Sequence, residues 1–106
     1  MQVTTTLPDR PAATRLAALV VEERLAACAQ VLGPVSSTYR WEDRIETADE
    51  WSCSLKTTAA RLPDVMARIR ALHPYQVPEI IALPIRGGDA AYLRWIEESV
   101  SVSGPG

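Results

Sequence analysis

The chain has 106 residues, 47% of them hydrophobic, and its 11 basic and 13 acidic residues leave a net charge of −2. A chain of this length fits one domain and buries about two-thirds of its surface, enough for a core without disulfide staples. The charges are interspersed, so no basic stripe points to nucleic acid, and no apolar run approaches the ~20 residues of a membrane span.

The two cysteines, Cys28 and Cys53, make no CxxC motif and are too few for a secreted scaffold. Met1 to Asp9 has no basic region followed by an apolar stretch, so no signal peptide is expected. The expected compartment is the reducing cytoplasm.

Gln2 to Thr6 is β-branched and ended by Pro8, which predicts a short first strand. Asp9 is a good N-cap, and Pro11 falls in the first turn, where a missing N–H costs nothing. Ala13, Leu16, Ala17 and Val20 then recur at helical spacing, predicting a helix to about Leu25. Ala27 to Leu32 is a compact apolar run broken by Gly33-Pro34, a pair that predicts a bulge or bend. The strand resumes through Val35, Ser37, Tyr39 and Trp41, and Glu42-Asp43 makes a turn in which Asp43 tolerates positive φ. Beyond it the chain returns past an acidic kink at Glu46–Glu50. Trp51, Cys53 and Leu55 then alternate with Ser52, Ser54 and Lys56. One long, bent hairpin over residues 27–57 is predicted.

Leu62, Val65, Met66, Ile69 and Leu72 form a second amphipathic stripe, with Pro63 in its first turn and Pro74 ending it. Pro78 to Ile85 is apolar on consecutive positions, which predicts a strand buried on both faces. Gly87-Gly88 turns the chain and Asp89 caps a third helix, with Tyr92, Leu93, Ile96 and Val100 as its buried stripe. The order β-α-β-β-α-β followed by α predicts an α+β, ferredoxin-like βαββαβ sandwich with an extra C-terminal helix. Residues 1–100 make the domain, and residues 101–106 are expected to be a flexible tail. The hairpin is too long for a sheet of ordinary strands, so its far end must overhang. An aromatic-bearing ribbon with unpaired backbone invites pairing with another chain.

Several runs in this chain resemble the CutA family: Thr6-Leu7-Pro8-Asp9, Leu19 to Cys28, Tyr39-Arg40-Trp41-Glu42 and Leu55-Lys56-Thr57-Thr58. So do His73-Pro74-Tyr75-Gln76-Val77-Pro78-Glu79 and Tyr92-Leu93-Arg94-Trp95-Ile96. The matches keep family order and spacing from about Thr4 to Ser99. The resemblance implies a ferredoxin-like homotrimer whose hairpins pair between subunits. It also implies a role in tolerance to copper and other divalent cations, with no enzymatic reaction. The trimer is similar to PII-type signalling proteins, which gives an alternative role as an adaptor for a small molecule or protein partner. Three departures stand out. Thr5 occupies the place of a copper-binding cysteine, Leu72 that of a histidine, and Asp43 that of a turn glycine. Copper or another divalent cation is therefore expected to bind weakly.

His73, the single histidine, is a candidate metal ligand. The reading preferred for it is a cation at a helix C-terminus. Cys28 and Cys53, roughly cross-strand by residue count, could offer a thiolate pair, although small buried hydrophobes fit better. Tyr39, Trp41, Trp51 and Tyr75 suit a ligand cleft and subunit packing equally. Lys56 and Glu79 adjoin apolar strands, where they pair with each other or face an intersubunit cleft. Glu46, Asp49 and Glu50 could offer oxygen ligands, but a solvated bend accounts for them better. No P-loop, nucleophile elbow or dinucleotide fingerprint is present, so catalysis is not expected.

Overall fold

A computed structural model describes residues 1–101, so the tail expected at 101–106 lies outside the described residues apart from Ser101. The elements run β1 (Gln2–Leu7), α1 (Arg10–Glu22), β2 (Cys28–Trp41), β3 (Arg44–Lys56), α2 (Leu62–Leu72), β4 (Ile80–Leu83) and α3 (Ala90–Val100). The strands form one antiparallel sheet in the order β2-β3-β1-β4, the arrangement of a ferredoxin-like sandwich.

Local chemistry sets the helix ends. Asp9 Oδ1 accepts from the Ala12 N–H at 2.8 Å, and Asp89 Oδ2 accepts from the Tyr92 N–H at 3.1 Å. Helix α1 stops at Glu22, earlier than its apolar spacing predicts. Arg24 takes positive φ (59°), and the Leu25 and Arg24 N–H groups turn back to the Val20 and Val21 carbonyls. That is a Schellman close made without glycine.

The core lies between the helices and one face of the sheet. Val3 and Leu7 of β1 meet Cys53 and Leu55 of β3, Leu16 and Val20 of α1, and Val65 and Ile69 of α2. A smaller cluster joins Ile96 and Val100 of α3 to Ala27. Tyr92 is not part of that stripe as expected. It is 42% exposed and lies against Trp95 at the solvent side of α3.

Strand β4 also departs from expectation, being only four residues long and alternately exposed. Ile80 and Ala82 pack on the core, while Ile81 and Leu83 stand 51% and 58% exposed. The flanking prolines trim the strand, and no element of the described chain covers its outer face. Register sets Ile81 beside Thr4 and Ser54, and Leu83 beside Gln2 and Lys56, so the uncovered face is partly apolar.

The hairpin extends well past the sheet. β1 pairs only with Trp51 to Lys56, leaving Arg44 to Glu50 of β3 paired to β2 alone. Seven residues at strand rise project about 23 Å, which stretches the molecule to 51 × 27 × 22 Å. The expected acidic kink is absent, because β3 continues unbroken from Arg44 to Lys56. The bend comes from β2 instead, where Gly33 and Pro34 together oppose Trp51. A Cβ on Gly33 would lie 2.7 Å from the Trp51 ring, so only glycine admits that approach.

Candidate functional site

The arm presents alternate residues to one side. Ser37, Tyr39 and Trp41 share a face of β2, and pairing sets Glu50 opposite Val35 on that same face. Below the arm, α2 ends at Leu72 and the chain passes through Pro74 to Pro78 before β4 begins. This loop carries Tyr75, Val77 and Glu79 to the foot of the arm. With Thr6 at its floor, the groove between arm and loop holds about 840 Å³.

A hydrogen-bond chain fixes the loop. The His73 N–H closes α2 on the Ile69 carbonyl at 2.9 Å. Its Nε2 donates to the Thr6 carbonyl at 2.7 Å, and its Nδ1 accepts the Tyr75 N–H at 3.1 Å. A carbonyl can only accept, so these bonds require a neutral imidazole with its hydrogen on Nε2. His73 is therefore not the helix-end cation expected from its position. The Tyr75 ring lies 4.8 Å from that imidazole, and its hydroxyl donates to Glu50 Oε2 at 2.9 Å. Burial, the bond to Glu50 and the charge of that carboxylate push the Tyr75 phenol up to about 12.

Of the residues singled out in the sequence as cleft candidates, Tyr39, Trp41, Tyr75 and Glu79 line this groove, as does Glu50 of the acidic set. Lys56 does not. Its ammonium donates to Gln30 Oε1 at 3.2 Å rather than meeting Glu79, and it lies about 20 Å along β3 from Glu50 at strand rise. Glu50 was hidden among acidic neighbours that suggested a solvated bend, yet it is 8% exposed. Counting outward from the Glu42-Asp43 turn pairs it with Val35, which is the signal that finds it.

The cysteines do not pair. The bulge shifts the register by one residue, so Cys28 opposes Lys56 and Cys53 opposes Val31, on opposite faces of the sheet. Burial, with a smaller push from Cys28, raises the Cys53 thiol to about 11, far from a ready thiolate. Among the described residues no three His, Cys, Asp or Glu side chains converge to hold a metal ion. Both His73 nitrogens are engaged within the single chain, so among its described residues no preformed metal centre is present.

The sequence matches the CutA1 divalent ion tolerance protein family over residues 1–99. It is 43% identical over 94 residues to the divalent-cation tolerance protein CutA of Thermus thermophilus, covering 89% of this chain and 91% of that protein. It is 39% identical over 98 residues to the chloroplastic protein CutA 1 of Oryza sativa, covering 92% of this chain but only 55% of that longer protein. The fold superposes on the crystal structure of CutA from Xylella fastidiosa with a TM-score of 0.92, at 40% identity, covering 94% of this chain and 96% of that one. No helix among the described residues is long and apolar enough to cross a membrane. On the residues that built the hairpin, the groove and the His73–Tyr75 loop, and on these matches, the chain belongs to the CutA1 divalent ion tolerance family.

Proposed function

We propose that this protein serves divalent-cation tolerance as a cytoplasmic homotrimer that catalyses no reaction and holds a small molecule or protein partner in the arm–loop groove. The observation that carries the reading is Glu50. It is a nearly buried carboxylate whose one hydrogen bond, from Tyr75, leaves its other oxygen without a protein partner among the described residues. That second oxygen keeps solvent access on the groove side, where an occupant can donate to it.

Assembly is supported by the overhanging arm, with its unpaired β3 edge, and by the exposed Leu32, Ile81 and Leu83 on the uncovered sheet face. The number three comes from the resemblance to CutA proteins. The free thiols suit a reducing compartment. In this reading copper or another divalent cation binds weakly, because it reaches the imidazole only by displacing the Tyr75 N–H from Nδ1. Affinity is then micromolar or poorer, about 8 kcal/mol or less.

Calorimetric titration of the metal-stripped protein with Cu²⁺ and Zn²⁺ tests this. Weak binding, reduced in His73→Ala, is expected. Nanomolar binding that survives His73→Ala would make the protein a metal binder through Cys28 instead.

A further inference from the structure

The composition of the groove selects a class of occupant, an inference that rests on the groove being the working site. Among the described residues, its charged lining is Glu50 and Glu79, with no basic side chain facing it. Glu50 is more than nine-tenths buried, with one oxygen held by Tyr75 and the other open to the groove. The walls are aromatic. Tyr39, Trp41 and Tyr75 are each about two-fifths exposed and present ring surface to the same space.

A carboxylate at the foot of a groove walled by aromatic rings is complementary to a positive charge carried on an apolar body. The ring faces attract cations electrostatically, and the free carboxylate oxygen accepts a charge-assisted hydrogen bond. Phosphates and carboxylates meet only negative charge there. A bare divalent ion would find two carboxylates where six or more oxygen ligands are wanted. The volume of about 840 Å³ suits a small organic molecule.

We propose that the groove binds a small organic cation, a primary ammonium or guanidinium on a short apolar chain. The cationic head donates to Glu50 and the chain lies against the ring of Tyr75, running towards Tyr39. Glu79, at the rim, adds longer-range attraction and no contact of its own.

The test is a calorimetric titration of the protein with n-butylguanidinium, n-pentanamide and n-pentanoate. The expected result is saturable binding of the guanidinium at least tenfold tighter than the amide, with no detectable binding of the carboxylate. Glu50→Gln should remove that preference without changing the oligomeric state. Should Glu50→Gln fail to fold, Glu79→Gln at its exposed position should still weaken the guanidinium about two- to threefold. Equal or stronger binding of the amide or carboxylate would overturn the cation class while leaving the groove as a ligand site. No saturable heat with any of the three probes would overturn the groove itself, as when a side chain of a second copy already fills it.

Discussion

The Tyr75 hydroxyl donates to Glu50 Oε2 at 2.9 Å, joining the loop after α2 to the root of the projecting arm. The link spans 25 residues of sequence and holds both walls of the groove in one geometry. Because His73 fixes the same loop on the Thr6 carbonyl, arm, loop and β1 are bound into one unit.

That bond has a spectroscopic consequence. The Tyr75 phenol is raised from 10.0 to about 12, first by burial and then by the bond to Glu50. A raised phenol favours the folded state while it is protonated. Its contribution is complete below the unfolded value and is lost as pH rises from about 10 towards 12. Ultraviolet titration of a Tyr39→Phe, Tyr92→Phe protein should therefore show the remaining phenol ionising near 12. Glu50→Gln should bring it closer to the ordinary value. A parent midpoint near 10 would show that the bond is not formed in solution.

Gly33 is expected to be irreplaceable at the bend. An added Cβ meets Trp51 Cε3 at 2.7 Å and the Glu50 carbonyl at 3.1 Å, and the Trp51 ring is also stacked by Arg10, whose guanidinium carbon is 5.6 Å from its centroid. Gly33→Ala should cost about 1–3 kcal/mol in urea denaturation, the usual penalty for overpacking. An unchanged midpoint would mean that the bulge relaxes freely.

The hairpin turn carries removable strain. Glu42 and Asp43 take φ of 49° and 63°, the left-handed region that glycine enters without penalty. Relief of about 1–2 kcal/mol at Asp43 is partly offset by the greater freedom of unfolded glycine. Asp43→Gly should then stabilise by about 0.5–1 kcal/mol in the same assay. Destabilisation would show that Asp43 makes contacts in the assembly that outweigh the strain.

Thr5 is fully buried, and its hydroxyl has no hydrogen-bond partner. An unmet buried hydroxyl costs about 1 kcal/mol or more, and valine has the same shape without it. Thr5→Val should raise stability by about that amount. A fall in stability would reveal a hydrogen bond to the hydroxyl in the assembled protein.

The hairpin, its turn and its overhang were legible in the sequence, because period-two alternation and a two-residue turn are local signals. The position of Glu50 on the Tyr39 face follows from the same counting. Its burial does not, since that depends on Tyr75 arriving from the far side of α2. His73 was misread for a related reason: its helix-end position suggests a cation, but the Thr6 carbonyl that fixes its tautomer lies 67 residues away. The cysteines looked adjacent because the bulge was given more residues than the one it absorbs. On β4, consecutive apolar residues looked doubly buried, whereas one face is left uncovered by the single chain.

The central claim is that the arm and the uncovered sheet face serve assembly, with the groove at the root of the arm as the working site. Light scattering coupled to size exclusion tests it most directly, on the wild type and on Trp41→Ala near the arm's tip. Three chain masses for the wild type, with Trp41→Ala dissociating at higher concentration by about 2–4 kcal/mol of lost association energy, are expected. A wild-type monomer at micromolar concentration would contradict the account.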